Sequence, residues 1–257
     1  MERAALRVGH DIKMLIITAD DYGKTTLATD SILEAFTHTR ITSAAAMVFM
    51  EDSERAASLG LKAGLEVGLH LNFTLPFTGP NVSPELRRHH NRVVAYLGKH
   101  KFRQLIYNPL LNDSFDVLFR AQQAEFVRLY GRSPDYYNGH HHMHLCANML
   151  ASQMIHKGAR VRQTFTVGAG ERNPINVIYR QALGAWLSRR YLTTQGFFSI
   201  EPVGDCDRLR QIVNRAHNQT IEIEVHPENA NEIDFLRSDE YGSLLDGVRR
   251  GGFLNLH

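Results

Sequence analysis

The sequence predicts an α/β fold: a single-domain (β/α) barrel spanning residues 1–257, distorted but TIM-like, with seven to eight parallel strands. Three observations lead there. Short apolar, β-rich runs alternate with longer helical patterns, the mark of repeated β/α units around a parallel sheet. Several of those runs end in a carboxylate or an imidazole, as strand ends do on the working rim of a barrel. A chain of 257 residues with no internal repeat, low-complexity tract or linker-like change in composition is an ordinary length for one barrel.

The first apolar run, residues 14–19, leads into Asp20-Asp21-Tyr22-Gly23, and residues 29–37 follow as a helix that packs Ile32, Leu33, Ala35 and Phe36 inward. Residues 43–49 read as a second strand, 53–61 as a helix, and 65–69 as a third strand running into His70. Residues 76–112 carry Pro76, Pro80, Pro84 and Pro109 and the basic cluster Arg87-Arg88-His89-His90. That composition suits a long loop with one or two short helices, a lid or substrate-facing excursion. Residues 115–130 form the clearest helix, with Leu118, Ala121, Phe126 and Tyr130 near one face and Gly131 as its C-terminal stop. A strand over 136–139 then delivers the run His140-His141-His142-Met143-His144. Further strands are expected over 160–166, 192–196, 220–225 and 253–256, with helices over 176–189 and 207–218.

Composition narrows the function. Apolar residues make up 43% of the chain and charged residues 22%, enough for a large core and close to the soluble globular average. Lys plus Arg number 29 against 27 Asp plus Glu, so no net field favours nucleic acid, an anionic membrane or a polyanionic substrate. Two cysteines, Cys146 and Cys206, lie far apart with neither CxxC spacing nor disulfide density, which suits a reducing cytoplasm. Residues 1–13 carry charge throughout and lack the apolar run of an export signal, so export is not expected, and because Met14 stands immediately before the first strand-like run they read as a disordered extension or an overlong start. No apolar stretch approaches the length of a membrane span.

Asp20 with Asp21, His70, and the cluster beginning at His140 stand at three separate strand ends, which a barrel gathers onto one rim. Two imidazoles and one carboxylate suit a divalent transition metal and leave coordination positions open for water and substrate, as hydrolysis requires. Each residue alone has a plainer explanation: Asp20 or Asp21 as a helix cap, His70 as a hydrogen-bonded core histidine, the cluster as a polar loop. If strand geometry continued through the cluster, His140, His142 and His144 would share one side. Residues 221–225 alternate and lead to His226-Pro227, another strand delivering an acid–base group to the same rim.

Joined in order, Thr18-Ala-Asp-Asp-Tyr-Gly23, Gly68-Leu-His-Leu-Asn72, Gly139-His-His-His-Met-His144 and Glu224-Val-His-Pro227 resemble the YdjC/ChbG-like carbohydrate deacetylases over nearly the whole chain. The resemblance implies one divalent metal ion, Mg2+ or Zn2+, held by Asp21, His70 and His140. It also implies Asp20 as the base that activates water and His226 as the acid that protonates the leaving amine. Arg162, Asn72, His142 and His144 become candidate contacts to an N-acetylated sugar or oligosaccharide, and a homodimer is a candidate assembly. The chain departs from the family pattern at Asn138-Gly139, where many relatives read Asp-Ser; losing that carboxylate should weaken the orientation of a ligand histidine. The Arg- and His-rich insert is a second departure. Two other functions stay open at this level: a metal hydrolase of another amide or of a phosphate ester, with Arg87, Arg88 and Arg103 as anion clamps, and a non-catalytic sugar-binding or regulatory protein.

Overall fold

A computed structural model describes residues 13–167 and 173–257. The extension expected over residues 1–13 lies, apart from Lys13, outside them. The elements run in order as β1 (Met14–Tyr22), α1 (Thr26–Thr37), β2 (Ser43–Ala46), α2 (Ser53–Ala63), β3 (Glu66–Leu71), α3 (Pro84–Leu97), α4 (Asn112–Tyr130), β4 (Tyr137–Gly139), α5 (Ala147–Ser152), α6 (Pro174–Arg190), β5 (Gly196–Ser199), α7 (Cys206–Arg215), β6 (Thr220–Val225), α8 (Ala230–Arg237) and α9 (Asp239–Leu244). All strand pairs are parallel, in the order β4-β3-β2-β1-β6-β5.

Among the described residues there are six strands, not seven to eight. The expected strand over 160–166 makes only single bridges, Val161 to Tyr137 and Arg160 to Leu192. Polar side chains there take over the work of a ladder: Gln163 Oε1 accepts from the Thr164 N–H, and Thr166 Oγ1 accepts from the Phe197 N–H. The segment still spans the gap between β4 and β5, since the Thr166 N–H also donates to the Phe197 carbonyl at 2.8 Å. The strand expected over 192–196 begins only at its last residue, Gly196. Residues 253–255 form a short 3-10 turn rather than a strand, with the Phe253 N–H donating to the Glu66 carboxylate.

Period-two alternation sorts each strand into two faces. Leu15, Ile17 and Ala19 of β1, Val67 and Leu69 of β3, and Ile221 and Ile223 of β6 face outward into the main core against the helices. Met14, Ile16, Ala45, Tyr136, Phe253 and Leu256 form a second apolar cluster that plugs the barrel floor. Gly68 lies against that plug: a Cβ there would come within 2.6 Å of the Tyr136 ring, so the bare backbone is what admits it. Above the plug the inward positions turn polar, with Thr18 and Ser43 in hydroxyl contact at 3.2 Å and Glu222 and Glu224 wholly or almost wholly buried.

Helix boundaries follow ordinary end chemistry. Thr25 caps α1 by accepting from the Ala28 N–H, and Gly64 and Gly131 end α2 and α4 in the left-handed conformation that glycine adopts freely. The insert expected to be mostly loop instead holds α3, a 14-residue helix that Ser83 caps and Pro84 starts at a position where its missing N–H costs nothing. Two short 3-10 turns follow, Lys101–Leu105 and Pro109–Leu111. Arg87 does not clamp an anion: its guanidinium donates to the carbonyls of Phe77, at 2.6 Å, and Gly79. Among the described residues no helix is long and apolar enough to cross a membrane.

His90 of α3 is 1% exposed and stacks on Phe77 with ring centroids 3.8 Å apart. Burial pushes its imidazole down to about 4 from a reference of 6.5. Between those values the unfolded chain takes a proton that the native chain refuses, so stability falls as pH drops through the window, by up to about 1.4 kcal/mol per pH unit. Urea unfolding at pH 4.5 and 7.5 is expected to show a smaller pH difference in His90→Phe than in the parent; an equal difference would remove His90 as a source of acid sensitivity.

Candidate metal centre

Two consecutive carboxylates on a strand should point to opposite faces, but Asp20 and Asp21 converge. Pairing with β2 slips between Ala19 and Tyr22, a bulge that adds one residue, and Asp21 takes a left-handed backbone with φ 69°. A non-glycine residue held there stores about 1–3 kcal/mol of strain, tolerated where surrounding contacts fix it. Asp21 Oδ1 lies 3.0 Å from His140 Nδ1 and 3.3 Å from His70 Nε2. One ligand atom from each of Asp21, His70 and His140 falls within 4.8 Å of the others, and all three residues are buried.

The hydrogen-bond pattern determines what this triangle lacks. Asp20 is held by Arg162, whose Nη2 donates to Oδ1 at 2.9 Å and whose Nη1 donates to Oδ2, and Asn138 Nδ2 donates to Oδ1 at 3.0 Å. Burial alone would raise the Asp20 pKa, but Arg162, with His70 and His226, holds it well below the usual carboxylate range. Since a carboxylate only accepts, the Asn138 amide turns its nitrogen to Asp20 and its oxygen to His70 Nδ1, 2.8 Å away. His70 therefore carries a proton on Nδ1, and its buried Nε2 is left without a partner, facing a carboxylate oxygen.

Two acceptors facing each other repel unless positive charge lies between them. Burial opposes a charged His70, yet Asp20 and Asp21 outweigh it and raise its pKa. Burial likewise works against an ionised Asp21, but His140 and His70 hold its pKa far below normal. The cluster thus favours positive charge at one point, and a proton or a divalent cation can supply it. The donor set, one carboxylate and two imidazoles with one tautomer fixed from behind, fits a divalent cation. Asn138 supplies the orientation expected to be lost with the family's aspartate.

Other expected site residues are placed differently. Arg162 is fully buried, and its guanidinium is engaged by carboxylates: Nε donates to Glu222 at 2.8 Å and Nη1 to Glu224 at 3.3 Å besides Asp20. Asn72 is also fully buried; its Oδ1 accepts from the backbone of Thr74 and Leu75, so it shapes the turn after β3. The histidine cluster does not alternate. His141 and His142 have left-handed backbones, φ 52° and 59°, inside a 3-10 turn, so His140 points to Asp21 while His144 is buried with Nε2 at 3.2 Å from the Arg162 carbonyl. Burial pushes the His144 imidazole down to about 3. His142 Nε2 sits 3.8 Å from Glu224, and its ring edge meets Phe165 at 4.6 Å. His226 stands at the end of β6, half-buried, with its N–H donating to the Glu232 carboxylate.

Sequence reasoning missed Lys24, which donates to Asp21 Oδ2 at 3.0 Å and is paired with Glu228. It also missed Glu222 and Glu224 as partners of Arg162. The signal for them was present, because two glutamates on the inward period of an apolar strand require a buried cation.

A family model described as YdjC-like protein matches residues 14–248. The chitooligosaccharide deacetylase of Serratia marcescens is 34% identical over 133 residues, 52% of this chain and 51% of that protein. The chitooligosaccharide deacetylase of Proteus mirabilis is 35% identical over 132 residues and 50% of its length, so these alignments span about half of the curated relatives. That of Escherichia fergusonii aligns nearly throughout, 32% identical over 270 residues that cover 95% of this chain and 99% of that one. A crystal structure from Enterococcus faecalis V583, described as a candidate cellobiose-phosphate cleavage protein, shares the fold with a TM-score of 0.64 at 19% identity, covering 94% of this chain and 97% of that chain.

Proposed function

The chain belongs to the YdjC-like family, and from that membership we propose that it is a metal-dependent carbohydrate deacetylase, a hydrolase that removes acetyl groups from N-acetylated sugars or oligosaccharides. The observation that carries this reading is the unpartnered His70 Nε2 aimed at Asp21 beside His140, flanked by an ionised Asp20. Asp21, His70 and His140 would hold the ion. Two imidazoles and one carboxylate favour zinc or a similar borderline ion over magnesium, which prefers oxygen ligands. A divalent cation bound there supplies Lewis acidity, polarising an acyl oxygen and lowering the pKa of a neighbouring water.

This chain's own groups do the rest. Asp20, kept ionised by Arg162, accepts the proton of the attacking water; its low basicity suits it only to a water that has itself been made acidic. Arg162 and Asn138 fix the carboxylate so that no reorientation is needed during the transfer. His226, on the same rim and close enough for its charge to act on Asp20, donates to the sugar nitrogen, which cannot leave as an amide anion. Two of the arginines that would favour phosphate chemistry are engaged elsewhere: Arg87 donates to backbone carbonyls and Arg103 stacks on Tyr96.

Asp20→Asn is expected to retain divalent metal by elemental analysis while acetate release from N-acetylglucosamine oligomers falls by about 10²–10⁴-fold, the usual contribution of a general base. Full turnover in that variant would remove Asp20 from the mechanism. A metal-loaded parent protein that releases no acetate from any N-acetyl sugar would overturn the deacetylase reading itself.

A further inference from the structure

The two oxygens of Asp21 serve different neighbours. Oδ1 faces the histidines, 3.0 Å from His140 Nδ1 and 3.3 Å from His70 Nε2, while Oδ2 accepts from Lys24 Nζ at 3.0 Å. The same ammonium donates to Glu228 Oε1, so it bridges a carboxylate three residues before it and another 204 residues after it. This is not an open surface pair, since the Lys24 and Glu228 side chains are only 21% and 19% exposed. Backbone fixes both of its ends. The Lys24 N–H donates to the Asp21 carbonyl at 3.1 Å, and the Asn229 N–H donates to the His226 carbonyl at 2.9 Å, closing the turn that carries Glu228. That turn is anchored in addition by the buried Glu232, which accepts from the His226 N–H and from Asn229 Nδ2.

A carboxylate with both oxygens free can close on a divalent ion as a chelate, filling one of the positions that a hydrolytic site keeps open for water and substrate. Lys24 prevents this by holding Oδ2. An unbalanced ammonium against a ligand carboxylate would in turn repel the ion, because charges in partly buried surroundings are weakly screened. Glu228 cancels that charge. We propose that Lys24 and Glu228 form a charge-balanced positioning pair, which restricts Asp21 to one coordinating oxygen without lowering affinity for the ion. The inference rests on the metal centre of the deacetylase reading and adds how that centre keeps a position open.

Metal affinity and turnover should therefore move in opposite directions when Lys24 is replaced, a pattern that loss of structure does not produce. Zn2+ titration by calorimetry, Co2+ absorption spectra and acetate release from N-acetylglucosamine oligomers are measured on the same full-length samples. In Lys24→Met, with Oδ2 freed and Glu228 unbalanced, binding is expected to tighten by about tenfold, the scale on which groups behind a ligand act. Its Co2+ bands should weaken as they do when a ligand is added to a tetrahedral set, and kcat should fall by about tenfold because a position for water is taken. In Glu228→Gln the ammonium stays on Oδ2 with its charge uncancelled, so affinity should fall by about tenfold with the parent's spectrum. The double variant should return to the parent's affinity and keep the altered spectrum of Lys24→Met. Weaker or unchanged binding in Lys24→Met, or unchanged binding in Glu228→Gln, would overturn the pair. So would slower turnover in Lys24→Met with the parent's affinity and spectrum, which would make Lys24 a contact to the substrate. If Lys24→Met does not fold, Glu228→Gln and the charge-keeping Lys24→Arg decide: weaker binding in the first and the parent's spectrum in both support the pair, and any other result overturns it. A parent that binds no divalent ion removes the metal centre and the pair together. A parent that binds the ion but releases no acetate removes the deacetylase reading alone, and the affinities and spectra still decide the pair.

Discussion

His70→Ala should strip the protein of its divalent ion and, with it, of acetate release. The imidazole is 1% exposed, its Nδ1 is committed to Asn138, and its Nε2 has no other partner, so removing it leaves only Asp21 and His140 of the triangle. Structural zinc sites are worth about 10–16 kcal/mol spread over their ligands, so losing one of three should weaken binding by roughly two to four orders of magnitude. Isothermal titration with Zn2+ and Mg2+ reads that loss directly, without reference to turnover. The variant should not unfold, because removing His70 also removes two acceptors facing each other at 3.3 Å. Metal affinity equal to that of the parent would show that the ion is held elsewhere or that Asp21 and His140 suffice.

The second large effect concerns stability. Arg162→Met would leave Asp20, Glu222 and Glu224 facing one another with no cation among them, all three almost wholly buried. Breaking a buried pair by removing one partner costs about 3–5 kcal/mol, and here one guanidinium serves three carboxylates. In a chain of this size that corresponds to a Tm roughly 10 °C lower. The loss should depend on pH with a definite sign. Burial already raises the pKa of Glu222 and of Glu224, and Arg162 is the main influence that lowers them. Without it both rise further, so the native state of the variant binds protons that the unfolded chain does not, and stability is lost as pH climbs through the raised values. The gap in Tm between parent and variant should therefore be smaller at pH 5 than at pH 8, by differential scanning calorimetry. A gap independent of pH would mean that lost packing, not unpaired charge, is the cost.

These two residues also show where sequence was informative. His70 could be read because a short apolar run ends on it and no competing ligand stands nearby. Gly131 as the stop of α4 and the strand leading to His226 could be read for the same reason, since local chemistry and tertiary role agree. Arg162 looked like a substrate contact because its position after the cluster resembled one in the family. Only the fold shows that the inward glutamates of β6 claim it first. The bulge that turns Asp21 toward the histidines carries no glycine to announce it, and neither do the left-handed residues His141 and His142. Barrel closure failed as a regular pattern because the side chains of Gln163 and Thr166 satisfy the backbone N–H groups of Thr164 and Phe197, which period-two reasoning does not register. Asn138 corrected a subtler expectation: an amide, with a donor and an acceptor, links Asp20 to His70 where a second carboxylate would have repelled the first.

The sheet order places β1, the earliest in sequence of the six described strands, at the middle of the finished sheet, and one of its two flanks is β6. The contacts that define the centre are correspondingly distant: 119 residues separate Asp21 from His140, 142 separate Asp20 from Arg162, and 204 separate Lys24 from Glu228. A nascent chain that has released α6 already carries Asp21, His70 and His140, but β1 still has an open edge and Arg162 lacks the two glutamates of β6. The ion-holding residues are thus translated well before the frame that aligns them, and long-range parallel pairing of this kind is slow to form. Maturation of the centre is therefore a late, whole-chain event, and the apolar edge of β1 is the surface that must be shielded until it happens.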